Sequence, residues 1–215
     1  MIRLNQNLDV EVEEFLGSKI FYIRNFYEDP DAIKSGLDSI EPEYFKTTHD
    51  SDEESNNGLY FEDRRHNIEA HGIKFMTKVL SNLCEQQPVD DQHFKTNVHR
   101  FNKVEFNNYQ DHYWWPHKDT GYNALIYFNK DDQESGTNLY EMVDENEFEI
   151  RKKKSEHGIS WRKKEKWKVL KHIEPEYNMC VLFDGLKFWH GMNICNDRYF
   201  GDEYRINQFV QFTVE

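Results

Sequence analysis

Cysteine is scarce: the 215 residues hold three, Cys84, Cys180 and Cys195, and no CxxC pair. That number builds neither a disulfide framework nor a four-cysteine zinc site, and it fits a reducing compartment. Proline and glycine are also few, at 5 and 10. No stretch rich in either divides the chain, so a single domain over residues 1–215 is expected. No run approaches the roughly 18 apolar residues of a membrane span. The opening MIRLNQNLDVEVEEFLG lacks the apolar centre of a secretory signal, and a cytoplasmic setting is the expectation. Basic residues are in deficit: 27 Lys and Arg against 40 Asp and Glu give a formal net charge of −13. Such a charge opposes approach to nucleic acid or an anionic membrane, and neither is expected as a partner. Oligomeric state is not legible in these features.

Aromatic side chains are abundant, with 16 Phe, 12 Tyr and 5 Trp, while hydrophobic residues reach only 37%. The core should therefore be built from few, large side chains. Lys19 to Ile23 reads as a strand. A turn through Pro30 leads into a helix from Asp31 to about Ile40. His49 to Gly58 is acidic and loop-like. Ile73, Met76, Val79, Leu80 and Leu83 predict a helix from about Arg65 to Gln86, with Met76 and Phe75 as core residues. Beyond Thr96 the pattern changes to short β-branched and aromatic segments: Asn97 to Tyr109, Tyr122 to Asn129, Thr137 to Met142, Trp167 to Ile173, Asn178 to Phe183 and Arg205 to Val214. The expected class is α+β, mainly β, with a barrel or jelly roll buttressed by N-terminal helices. Residues 1–94 would be the N-terminal strand and supporting helices, and 95–214 the core.

One segment opposes the general charge. Residues 150–171 carry ten basic side chains against Glu156 and Glu165, a local charge of +8 in a chain of −13. The segment reads as part of a charged insertion, about 141–171: either a solvated connection or a mobile flap that recruits an anion.

His117-Lys118-Asp119 is the chain's one HxD. In extended backbone, residues i and i+2 project to the same side, so His117 and Asp119 can reach one metal ion together. His190 follows the strand ending in Phe183 and the turn at Asp184-Gly185. Two neutral imidazoles and one carboxylate form a facial triad that leaves half of an octahedral Fe(II) open. Zinc hydrolysis fits less well, for there is no HExxH helix. Arg205 opens the last strand and is suited to holding a carboxylate by a two-point contact. Arg198, in a polar loop, is its rival. Tyr127 is placed to add a phenolic hydrogen bond to the same carboxylate, and Tyr109 to meet the other end of a ligand. His172-Ile173-Glu174 is a second candidate pair without supporting context.

These elements occur in a fixed order: Tyr109, His117-Lys118-Asp119, Leu125-Ile126-Tyr127-Phe128-Asn129, Ser135-Gly136-Thr137, Val181-Leu182-Phe183, His190 and Arg205. The set resembles the Fe(II)/2-oxoglutarate-dependent oxygenases, especially the small prolyl-4-hydroxylase-like branch of bacteria and phages. The likeness runs from about residue 19 to 214, and residues 95–214 are its specific part. It departs from the family at Ser135, where a glycine is usual, and in the 15-residue spacing from His190 to Arg205.

The resemblance implies a double-stranded β-helix, or jelly roll, with Fe(II) on His117, Asp119 and His190. It implies 2-oxoglutarate as co-substrate, with Arg205 and Tyr127 on its distal carboxylate and Tyr109 nearby, and O2 as oxidant. The implied reaction is hydroxylation of a peptidyl proline or a small molecule, coupled to decarboxylation of 2-oxoglutarate to succinate and CO2. The acid at Asp119 favours hydroxylation over halogenation. A phage origin would place the protein in host cytoplasm. The alternative is a catalytically silent jelly-roll binding protein.

Overall fold

The computed structural model describes residues 3–39, 43–47, 59–63, 70–101, 108–144, 146 and 161–214. The elements in chain order are β1 (Asp9–Phe15), β2 (Ser18–Arg24), α1 (Pro30–Asp38), β3 (Glu43–Thr47), β4 (Leu59–Asp63), α2 (Ala70–Leu83), β5 (Pro88–Phe101), α3 (Asn108–Asp111), β6 (His112–Trp114), β7 (Tyr122–Tyr127), β8 (Thr137–Met142), β9 (Trp161–Lys163), β10 (Trp167–Ile173), β11 (Cys180–Asp184), β12 (Trp189–Met192) and β13 (Arg205–Val214). The protein is mostly β. An eight-stranded sheet runs β1-β2-β11-β7-β13-β5-β4-β3, a three-stranded sheet runs β10-β8-β12, and β6 pairs with β9. Every pairing is antiparallel. β5, β7, β11 and β13 lie in the large sheet and β6, β8, β9, β10 and β12 outside it, so the chain switches sides over β5–β8 and again over β10–β13, with β8, β9 and β10 following one another outside.

Period-two alternation divides the apolar side chains of the large sheet between two layers. Ala124 and Ile126 of β7, Cys180 and Leu182 of β11, and Ile206, Val210 and Phe212 of β13 share a cluster with Met76, Leu80 and Cys84 at α2. Leu125, Tyr127, Val181 and Phe183 instead pack with Leu139 of β8, Ile173 of β10 and Phe188. The second layer lies between the sheets. Residues of β7 and β11 with odd numbers thus belong to the sandwich interior, which decides where ligand-binding groups can sit.

Helix α1 starts as its sequence dictates. Asp29 Oδ1 accepts the Ala32 N–H at 3.0 Å, and Pro30 fills the first helical position. Along α2 the buried stripe is Met76, Leu80 and Cys84. Phe75, expected in the core, is instead 59% exposed. It falls one residue (about 100°) off that stripe and next to exposed Lys74. No helix among the described residues is long and apolar enough to cross a membrane.

Strand bounds differ in places from those the sequence predicts. The strand expected over Asn97 to Tyr109 begins at Pro88 and ends at Phe101, and Tyr109 lies on α3. Pairing of Phe209 with Lys95 and of Val214 with Pro88 extends β5 back through polar residues of weak strand propensity. Strand β1 was hidden by its charges; at the sheet edge Asp9, Glu11 and Glu14 are exposed and Glu13 is half-buried. Within the charged segment β10 runs over Trp167–Ile173 as expected, and β9 (Trp161–Lys163) adds a strand the sequence did not mark. There Lys166 pairs with Asp144, Lys168 with Glu141 at 3.4 Å, and Lys171 with Glu13 at 2.9 Å. The flap expected over 150–160 and the loop His49 to Gly58 lie outside the described residues.

A side-chain clamp joins the N-terminal strands to the rest. Asn178, at φ +62°, precedes β11. Its Oδ1 accepts the Tyr27 N–H at 2.9 Å, and its Nδ2 donates to the Tyr27 carbonyl at 2.9 Å. Both bonds are buried, so removing the amide strands two main-chain groups and forces a non-glycine residue without Asn's tolerance into the left-handed region. Asn178→Ala should lower unfolding free energy by about 2–4 kcal/mol in denaturant titrations. A loss below about 0.5 kcal/mol would show that Tyr27 does not depend on the clamp.

Candidate metal centre

The centre begins with a backbone contact. His117 lies beyond β6, and its N–H donates to the His190 carbonyl at 2.9 Å. The His190 N–H returns the bond to the His117 carbonyl at 2.8 Å. This two-bond antiparallel bridge sets residues separated by 73 positions directly opposite, with side chains on one side of the ladder. The two imidazole centroids are 4.4 Å apart. Asp119 follows in extended register and donates its N–H to the Gly185 carbonyl at 3.0 Å. Glycine is required beside the bridge: a Cβ on Gly191 would stand 2.5 Å from the Trp114 carbonyl oxygen.

Each imidazole is oriented by a main-chain carbonyl. His117 Nδ1 lies 2.7 Å from the Trp115 oxygen, and His190 Nδ1 lies 3.0 Å from the Phe188 oxygen. A carbonyl only accepts, so Nδ1 carries the proton in both rings and each Nε2 presents a lone pair. Those lone pairs converge on Asp119 Oδ2, at 3.6 Å from His117 Nε2 and 3.0 Å from His190 Nε2. Adjacent ligand atoms about 2.1 Å from one metal stand roughly 3 Å apart in octahedral geometry, so the donor set fits a divalent cation such as Fe(II).

The electrostatics agree. Burial, helped by the neighbouring His117, pushes His190 below its ordinary value and keeps it neutral, as a ligand must be. Burial alone would raise the Asp119 carboxyl, but the adjoining His117 and His190 imidazoles outweigh it and keep the group below its ordinary value. Side-chain exposure is 4% for His190, 26% for His117 and 20% for Asp119. One flank of the triad is sealed and the other meets solvent.

Further inside lies a cationic end. Arg205 is 4% exposed. Its Nε donates to the Ser135 carbonyl at 2.8 Å, Nη2 to the Gly136 carbonyl at 3.2 Å, and Nη1 to Asn207 Oδ1 at 2.9 Å. Its guanidinium lies 5.7 Å from the Tyr127 ring centroid. Among the described residues no carboxylate forms an ion pair with it, and two of its five N–H groups remain unused. Tyr127 is 2% exposed, and its hydroxyl is 2.8 Å from Thr137 Oγ1. Gly136 makes the Arg205 contacts possible: a Cβ there would come 1.9 Å from the Ile173 oxygen. Along β7, four residues separate Tyr127 from Asn123, which touches the triad, so the cationic end lies roughly 13 Å along the strand from the metal end.

The other sequence candidates are held by different neighbours. Arg198 is held at the surface by Glu203 at 2.6 Å and the Asp131 carbonyl at 2.8 Å. Tyr109 packs on Phe200 at 5.9 Å within the cluster that holds Trp114, Trp115 and Trp161. His172 Nδ1 meets Asn138 Oδ1 at 2.7 Å and belongs to a side-chain network away from the triad. The motif reading missed three groups: Asn123, which donates to Asp119 Oδ2 at 2.6 Å, Asn207 on Arg205, and Asp132, which shapes the Ser135 turn. Period-two counting back from Tyr127 and forward from Arg205 would have flagged the two asparagines.

Asp132 is 4% exposed and accepts the Glu134 and Ser135 N–H groups at 3.0 and 2.9 Å, and the Tyr199 hydroxyl. Burial raises its carboxyl, but these bonds outweigh that effect and hold it below 3.8. A depressed folded value gives stability that is present above the unfolded value and is lost as pH falls through it toward the folded one. Stability should therefore decline below about pH 4. Asp132→Asn, which keeps the Oδ1 acceptor, should flatten that acid limb in urea titrations between pH 5 and 2.5; an unchanged slope removes Asp132 as a contributor.

No family model matches this chain, and no curated protein matches it. Among solved structures, it is similar to an oxidoreductase of the 2OG-Fe(II) oxygenase family from Burkholderia pseudomallei, at 8% identity and a TM-score of 0.43, over 86% of this chain and 78% of that one.

Proposed function

We propose that the protein is an Fe(II)- and 2-oxoglutarate-dependent dioxygenase that hydroxylates a peptide or small-molecule substrate. The observation that carries this reading is the convergence of His117, Asp119 and His190, whose ligand atoms all lie within 4.8 Å of one another. Two imidazoles and one carboxylate on one side of a cation leave the other side for a chelating acid and O2. The switching of the chain between sheets over β5–β8 and again over β10–β13 supports a double-stranded β-helix as the scaffold, with α2 packed on its outer layer. The HxD, the Tyr127 strand and the Ser135-Gly136-Thr137 turn support the prolyl-hydroxylase-like branch within that class.

Bound iron supplies the activation of O2 and the oxidative decarboxylation of the co-substrate. The chain's own groups do the rest. His117, Asp119 and His190 hold the cation, and the Trp115 and Phe188 carbonyls keep each imidazole in its metal-binding tautomer. Arg205, buried and in no ion pair with a described carboxylate, takes the distal carboxylate of 2-oxoglutarate, and the Tyr127 hydroxyl adds a neutral donor. Leu125, Leu139 and Val181 keep the interior apolar and exclude water from the bound acid.

Anaerobic protein loaded with Fe(II) and 2-oxoglutarate and then exposed to air should form succinate slowly without added substrate. Asp119→Ala should reduce this to background. Arg205→Ala should raise the KM for 2-oxoglutarate about 10–100-fold, the loss of a charge-assisted contact worth ~1.5–3 kcal/mol, with a smaller change in kcat. Iron-loaded wild type that forms no succinate would reduce the protein to a binding module, and an unchanged KM would remove Arg205 from the site.

A further inference from the structure

His190 and Asp119 confront each other as two acceptors. His190 Nδ1 is committed to the Phe188 carbonyl, so in the neutral ring Nε2 is a bare lone pair. It lies 3.0 Å from Asp119 Oδ2. That contact repels unless a donor or a cation stands beside both atoms. Asn123 provides the donor. Its Nδ2 is 2.6 Å from Asp119 Oδ2 and 3.0 Å from His190 Nε2, so the two hydrogens of one amide nitrogen serve both acceptors. The amide orientation follows from this chemistry: turned over, its oxygen would meet the carboxylate oxygen at the same short distance.

The placement is enforced from the surroundings. Asn123 is fully buried in the middle of the large sheet. A Cβ on Gly185 would stand 2.6 Å from Asn123 Nδ2 and 2.9 Å from its Cγ. Glycine at 185 therefore leaves the amide its space, while the Gly185 carbonyl holds the Asp119 N–H. Asn123 Oδ1 is buried and has no hydrogen-bond partner among the described residues. An amide that forgoes its own acceptor bond is retained for what its nitrogen does.

We infer that Asn123 is a positioning residue of the metal centre, fixing the Asp119 carboxylate and bridging it to His190 so that the three ligand atoms stand at binding distance before a cation arrives. The inference rests on the reading of His117, Asp119 and His190 as a metal site. Binding of a cation takes the His190 lone pair from Asn123 and leaves the amide an N–H for Asp119. Without that donor the Asp119 side chain is free to rotate away from His190, and part of the binding energy goes into recovering it.

The test is a Co(II) titration of the full chain followed by visible absorption, with circular dichroism to monitor folding. Wild type should bind Co(II). Asn123→Leu, similar in volume but without a donor, should bind about 10–100-fold more weakly and shift the Co(II) d–d bands, with its far-UV spectrum unchanged. Asn123→Ala is read the same way if the leucine variant does not fold. Wild-type affinity and band positions in a folded variant would overturn the role of Asn123 while leaving the metal site intact. Failure of wild type to bind Co(II) would overturn the metal site and this inference together.

Discussion

Two reciprocal hydrogen bonds between the main chains of His117 and His190 decide the rest of the site. They join the end of β6 to β12 and so connect the short sheets to one another. They also place two imidazoles side by side, which neither strand achieves alone. Asp119 then enters the group by simple alternation, and its N–H is secured by Gly185. A centre built on main-chain register inherits the rigidity of the sheets around it, which is what a ligand set of fixed geometry requires.

The interior that follows is polar at both ends and apolar between them. At one end a carboxylate and two imidazoles gather. At the other, a buried guanidinium is held by carbonyl oxygens and an amide rather than by a counter-charge. Tyr127, Thr137 and Asn207 surround it, and Leu125 and Leu139 lie in the layer between. This distribution suits an elongated ligand with a chelating head and an anionic tail. Its polarity is fixed by which residues of β7 and β13 fall on odd positions.

Much of this was legible in the sequence because it rests on period-two alternation. Strands β8, β10 and β13 run where their β-branched and aromatic residues place them, and His117, Asp119 and His190 come together as an HxD plus a distant histidine can. What remained hidden rests on non-local forces. Strand β1 is charged and forms because β2 pairs with it. The early start of β5 depends on β13, and Tyr109 lies on a helical turn where alternation predicted a strand. Phe75 misled because hydrophobicity was weighed ahead of its angle on the helix. For Asn123, period-two counting from Tyr127 gives only the face it occupies; the fold brings Gly185 and two acceptors around it.

The carbonyls of Trp115 and Phe188 orient the two imidazoles, and they are atoms that every amino acid possesses. Side-chain replacement at either position leaves the acceptor in place so long as the local path of the chain survives. At Trp115 that path has φ +50°, a region open to Asn, Asp and Gly as well. Mutational drift can thus rewrite the residues next to both histidines without disturbing which nitrogen is protonated, and sequence comparison alone would overlook the two groups that make that choice.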